Sequence, residues 1–312
     1  NTQSGHRKSN VGKATSNLQE TPSGRQEARE QRPERRRRGR RERTSPNDVI
    51  APHGFRQEPP TANSKRSQAV APPSKGERIV LIGNGLAERD VYYSRIETEL
   101  NLRFPDHKLF FRNMGHVGDT PGFRPHPSRP SQWAFPGAEQ FNSELEVHNG
   151  IGFFPTPDQW LTHLKADTIV AFFGYNESFG GPDKVANFEA ELDAWAQHTL
   201  SKAYNSKSAP RLVLVSPIAF EDQSSKRDLP NGEKENANLI LYSASVETIA
   251  KKHGLTFIDL FSSSMSLYHK SESFLTTGGF IPNDEGYKAI AKLLANGLYG
   301  NGSHTSKADP GL

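Results

Sequence analysis

What most constrains the fold of this chain is a rhythm. From Arg78 onward, short apolar runs alternate with longer amphipathic stretches. Ile79-Val80-Leu81-Ile82 reads as a buried strand ended by Gly83, and Lys108 to Phe111, Thr168 to Phe173, Arg211 to Val215 and Phe257 to Leu260 repeat the signal. Between them lie helical spacings. Tyr92, Ile96, Leu100 and Arg103-Phe104 mark the first, stopped by Pro105. Phe188, Leu192 and Trp195 mark a helix over 184–202, Leu239, Tyr242, Val246 and Ile249 another, and Tyr287, Ile290, Ala291 and Leu294 a last one from about Asp284. Strands alternating with helices of this length predict an α/β fold with a five-stranded parallel sheet covered on both faces. Ligands of such sheets sit beyond the carboxyl ends of the strands, so the loops just after each strand are where chemistry is expected.

Charge divides the chain unevenly. Residues 1–76 hold 17 Lys+Arg against 7 Asp+Glu, and the remainder holds 22 against 28. The first part has few large apolar residues and is rich in Pro, Ser, Gln and Arg, so it is expected to stay disordered as an Arg-rich tail. Its densest run, Arg35 to Arg38 with Arg40, Arg41 and Arg43, suits nucleic acid or another anionic surface, although no stacking aromatics are interleaved with it. A folded domain over 77–300 and a flexible end over 301–312 complete the expected organisation. The absence of cysteine excludes disulfides, thiolate catalysis and Cys-ligated zinc, and suits an exported chain as well as a cytosolic one. No apolar run reaches membrane-spanning length, and no signal-peptide core is visible. No His-x-x-x-His or clustered carboxylates predict a metal site, and no cofactor is expected.

One segment breaks the rhythm. Residues 121–157 are rich in proline and carry Phe123, Arg124, His126, Trp133, Phe135, Phe141, His148 and Phe153-Phe154. A stretch this long and this aromatic reads as an ordered cap over the strand ends.

The loops carry four blocks in order. Gly83-Asn84-Gly85-Leu86 follows the first strand, and Asn113-Met114-Gly115-His116-Val117-Gly118-Asp119-Thr120 the second. Gly174-Tyr175-Asn176-Glu177 follows the third, and Thr277-Gly278-Gly279-Phe280-Ile281-Pro282-Asn283-Asp284-Glu285-Gly286-Tyr287 precedes the last helix. In register with the strands, this series resembles the SGNH (GDSL-type) hydrolases over roughly residues 77–300. The resemblance implies a flavodoxin-like three-layer α/β/α fold and an ester-cleaving activity, deacetylation of sugars included. Phe172 to Phe179 and Ser216-Pro217-Ile218-Ala219 look like a subgroup that often forms the first domain of large bacterial haem-binding proteins. That likeness implies an exported or periplasmic setting and would make this chain the isolated domain.

The resemblance also assigns roles. The nucleophilic serine falls on Gly85, and the acid and base of the last block fall on Gly278 and Ile281. The two oxyanion donors fall on Gly118 and Asn176. Acyl transfer by this route needs a hydroxyl to attack, an imidazole to take its proton and a carboxylate to orient the ring. Glycine has no attacking atom, and isoleucine accepts no proton. Losing the serine or histidine of a comparable triad costs roughly a million-fold in turnover, about 8 kcal/mol. Oxyanion donors alone leave about 10³–10⁴ over water.

Three readings follow. The first is a non-catalytic pocket for a carbohydrate, an acylated ligand or a protein partner, with Asn84, His116, Glu177, His126 and Trp133 as binding residues and Phe135 among the cap rings. The second is an ester hydrolase with a displaced nucleophile, drawing on Ser178, on His116, His126 or His148, or on a water held by Asp119 or Glu177. The third is anion binding through the Arg-rich tail.

Overall fold

The computed structural model describes residues 57–300 apart from Glu146. Five strands form one parallel sheet: β1 (Arg78–Gly83), β2 (Phe110–Asn113), β3 (Thr168–Phe172), β4 (Arg211–Val215) and β5 (Thr256–Ile258). Their order across the sheet is β2-β1-β3-β4-β5. Central strands β1, β3 and β4 are buried on both faces, so the side-chain period of two sorts their residues into two cores. Val80, Ile82, Ile169, Ala171, Leu212 and Leu214 face one way. They meet Leu161 and Leu164 of α3 (Pro157–Leu164), Leu192 and Trp195 of α4 (Val185–Leu200) and Val246 and Ile249 of α5 (Glu233–His253). Ile79, Leu81, Val170, Phe172, Val213 and Val215 face the other way. There they meet Ile96 and Leu100 of α2 (Arg95–Arg103) and Ile290, Leu294 and Leu298 of α7 (Asp284–Tyr299). The three-layer α/β/α fold and the five-stranded parallel sheet expected from the sequence are therefore the observed ones.

Three expectations are corrected. The first helix is not continuous: α1 (Gly85–Arg89) gives way to a 3-10 turn at Asp90–Tyr92, Ser94 takes φ 51°, and only then does α2 begin. Asp90 Oδ1 accepts the Arg95 N–H at 3.0 Å, so its carboxylate restarts the helix, and Tyr92 lies exposed rather than on the buried face.

Second, the tail does not run to residue 76. Ala203 N–H donates to Pro60 O and Ala62 N–H to Ser201 O, while the Gln68 side chain accepts from Leu212 N–H and donates to Pro210 O. Arg66 bridges Glu77 and Asp167 at 3.2 and 3.1 Å. Residues 57–76 are thus laid along the amino ends of β4 and its neighbours, held by backbone groups that their apolar poverty did not advertise. The Arg35–Arg43 run and residues 301–312 lie outside the described residues.

Third, the cap reaches only the end of β2, through Arg124, His126 and Arg129, and lines none of the crevice at the ends of β1 and β3. Phe135 and Ala138 are buried in the core on the α4 side, with Trp133 and Phe141 packed against it. Glu191 of α4 accepts from Gly122 N–H and Asn142 Nδ2, and Asn187 Nδ2 donates to Phe141 O. The segment is ordered by the sheet's flank and by α4.

Candidate functional site

In a sheet of order 2-1-3-4-5 the chain leaves β1 and β3 in opposite directions, which opens a crevice at their carboxyl ends. Gly83 pairs with Phe172, so the loops after the two strands stand side by side. A cavity of about 110 Å³ lies there. Its wall takes Asn84, Gly85, Leu86 and Arg89 from the first loop and α1, Val117 from the second, and Tyr175 and Asn176 from the third. Ser216, Pro217 and Ile218 follow β4, and Phe280, Ile281 and Pro282 come from a small hairpin, β6 (Thr276–Thr277) with β7 (Ile281–Pro282). The lining is mainly apolar. For scale, a dry apolar cavity of about 150 Å³ admits benzene.

Each polar group in the wall has a definite state. Asn84 is 2% exposed and its side chain accepts from Leu86 N–H, so it caps α1. Asn176 donates one amide hydrogen to Asp119 O at 2.9 Å, which fixes the amide and leaves its second hydrogen free. Ser216 Oγ donates to Pro217 O and accepts from Leu260 and Phe261 N–H, so its hydroxyl is committed to the start of α6 (Leu260–Lys270). Arg89 forms no ion pair or side-chain hydrogen bond among the described residues and lies over the Tyr92 ring at 5.9 Å. It stands four residues beyond Gly85, one helical turn on the same face. That spacing was the available signal, and the sequence reading passed over it.

The rim is aromatic, but not with the expected rings. Tyr175 stacks on Phe280 at 5.8 Å and 15°, and Phe179 meets Tyr175 edge-on at 5.5 Å. Phe179 is 75% exposed. Trp133 and Phe135 of the cap line none of this cavity: Trp133 packs edge-on against Phe123, and Phe135 stacks on His198. His116 and His126 line a different cleft, beyond the second loop. Gly118, with φ +89°, also lies outside the lining, next to Val117, which is in it.

Glu177 is expected in the pocket and instead turns beneath it. Its Oε2 accepts Gly174 N–H at 2.8 Å, and Oε1 is buried without a partner. Burial, with a further push from Glu191, raises its pKa to about 8. Asp119 is likewise raised, to about 6, by burial, against the pull of Arg124. Ser178 Oγ donates to Tyr175 O at 2.7 Å, which holds it in the 3-10 turn Glu177–Gly180.

No protein-family model matches the chain, and no curated protein matches it. Among solved structures it is similar to a catalytic mutant of Axe2, an acetylxylan esterase from Geobacillus stearothermophilus. The TM-score is 0.51 at 14% identity, covering 75% of this chain and 100% of that one. The fold is SGNH hydrolase-like. A gut microbial diltiazem-metabolizing enzyme is similar with TM-score 0.51 and 18% identity, covering 74% of this chain and 48% of that one.

Within this SGNH-like frame, the glycines that the sequence resemblance aligns with catalytic positions differ physically. A Cβ built on Gly85 meets only Val117 Cγ2, at 3.5 Å, so a side chain would fit there without strain. Gly278 has φ +68° and Gly279 φ +90°, and a Cβ on Gly279 would come within 2.3 Å of the Phe220 ring. The hairpin carrying them is tied down by Glu221, which accepts from Leu275 N–H, Thr276 N–H and Thr276 Oγ1. Among the described residues no histidine lines the cavity.

Proposed function

We propose that this chain is a ligand-binding domain on an esterase-like fold, holding an acylated carbohydrate without cleaving it. The observation that carries the reading is the wall of the strand-end cavity: its one serine, Ser216, is bonded to backbone on both sides, and no imidazole stands beside it. A volume of about 110 Å³ with a mainly apolar lining suits an acetyl or similarly small acyl group. The free hydrogen of the Asn176 amide and the Arg89 guanidinium supply donors for its carbonyl oxygen. The Tyr175–Phe280 pair and the exposed Phe179 supply faces on which a sugar ring packs.

A displaced nucleophile is not favoured, because Ser178 is turned into its own 3-10 turn and His116 and His126 lie in another cleft. Titration of the chain with an acetylated xylo-oligosaccharide, followed by calorimetry, tests the proposal. Saturable binding is expected, lost when Ile281→Trp fills the cavity and unchanged in Ser178→Ala. Binding that persists in Ile281→Trp, or that is undiminished when the oligosaccharide has first been deacetylated, overturns it.

A further inference from the structure

The loop between Met114 and Gly118 has two sides. Val117 faces the strand-end cavity, whereas His116 faces a second cleft of about 180 Å³ between the end of β2 and the cap. The ionisable groups in the wall of that cleft are all basic: Arg112, Arg124, Arg129, His116 and His126. One carboxylate stands close behind the wall. Asp119 is 1% exposed and lies 3.2 Å from Arg124 Nη1 and 3.7 Å from His116 Nδ1. It offsets one of the three guanidinium charges and leaves two.

Of those two, Arg112 is exposed and Arg129 is buried. Arg112, on edge strand β2, has no side-chain hydrogen bond or ion pair among the described residues. Arg129 is 2% exposed and donates Nη1 to Arg124 O and Nη2 to Pro155 O, yet its Nε is buried without any partner. An unpaired buried cationic donor is costly, but Nε is sealed from the cleft, so what the cleft offers a ligand is the exposed Arg112 guanidinium and the His116 and His126 rings.

His126 is set to join them. Its Nδ1 accepts from Ser128 N–H at 3.2 Å, which leaves the ring proton on Nε2 as a donor. The ring is held by stacking on Phe154 at 3.5 Å and 11°. Burial, then Arg129 and His116, push its pKa down, as expected beside positive charge that nothing neutralises. Phe154 is occupied by the His126 ring and by Arg129, which lies over it at 5.4 Å, and partly buried Trp160 completes the wall with an apolar face.

We propose that this cleft is an oxyanion-binding subsite for an acidic saccharide unit, a uronate carboxylate or a sulfate ester, whose anion meets Arg112, His116 and His126 and whose ring packs against Trp160. Arginine suits both groups, because its planar fork donates two parallel hydrogen bonds. The proposal goes beyond the acyl pocket and adds a charge requirement to the ligand. The two sites flank one loop, so one saccharide chain would present its acyl group on one side and its anion on the other.

The test uses the full chain and site-resolved imidazole NMR. Glucuronate oligomers, sulfated xylo-oligomers and neutral xylo-oligomers are titrated separately. Saturable shifts of the His126 and His116 rings, with a raised His126 pKa, are expected for one or both acidic probes and not for the neutral one. The two acidic arms separate a carboxylate from a sulfate ester. Arg112→Glu, which leaves the buried network intact, is expected to weaken binding at least tenfold with an unchanged melting temperature. His126→Phe keeps a ring against Phe154, removes the donor and weakens binding several-fold. Ile281→Trp leaves this binding unchanged, which separates its failure from failure of the acyl pocket. Equal affinity in wild type and Arg112→Glu, or acidic probes that shift neither the His126 nor the His116 ring, overturns the proposal.

Discussion

Two loops of this SGNH-like domain carry glycine at positions the sequence resemblance aligns with catalytic groups, and the two loops differ. The loop after β1 is open at Gly85. Gly85 keeps ordinary backbone angles, follows a properly formed Asn84 cap and would bring a Cβ into normal contact with Val117. Before α7, Gly278 and Ile281 belong to a hairpin whose turn runs through two left-handed glycines, lies against the Phe220 ring and is bonded to a buried glutamate. The first loop has room for a side chain and the second is fixed by its backbone conformation, so introducing a side chain would meet little resistance at Gly85 and much at Gly279.

Substitutions sharpen that contrast in order of expected effect. Gly279→Ala places a methyl group against the Phe220 ring at a positive φ, and should cost about 3 kcal/mol from overpacking and strain together. Denaturant unfolding measures it. A cost below about 1 kcal/mol would show that the hairpin is not the rigid element described.

Glu177→Gln probes the floor of the site next. The folded carboxyl titrates near 8 against an ordinary value of 4.5, so between those pH values the native state keeps a proton that the unfolded chain has released. Stability therefore falls as pH rises through that window. The glutamine variant, already neutral, should flatten the fall above pH 6 while Asp119 and Asp90, each near 6, maintain it below. Melting temperatures between pH 4.5 and 8.5 report the slope, and an unaltered slope would place the proton elsewhere.

The smallest effect is predicted at the open position. Gly85→Ser should shift stability by no more than about 0.5 kcal/mol and should leave ester turnover at the blank rate, because a hydroxyl without a neighbouring base is not activated. A large loss of stability would mean the two loops are equally closed.

How much of this was legible beforehand depended on how local the cause was. The sheet and helices α4, α5 and α7 follow from periodicity, because each strand and each helix face is buried by its own pattern. The break after Asp90 did not, since Tyr92 continues the helical spacing by accident while the carboxylate caps a new start. Helix α3 had a readable signature in the Thr156–Gln159 capping box with Pro157 at its first turn, and the long aromatic segment around it drew attention away. The Gly278-Gly279 pair between short strand-forming residues is likewise a hairpin signal, obscured by reading those positions only as missing catalytic groups. Four blocks at the strand ends located the cavity correctly. The rings that rim it were misplaced, because where Trp133 and Phe135 settle is decided by packing on α4, a contact some sixty residues distant that no local pattern encodes. Arg89 was missed for a simpler reason: it follows from a helical turn, not from a motif.

Turnover of p-nitrophenyl acetate by the purified chain tests the central claim most directly. The account predicts a rate equal to that of a heat-denatured sample at every substrate concentration, from pH 5 to 9. Saturable, protein-dependent release of nitrophenolate that a single Ser→Ala or His→Ala substitution abolishes would contradict it.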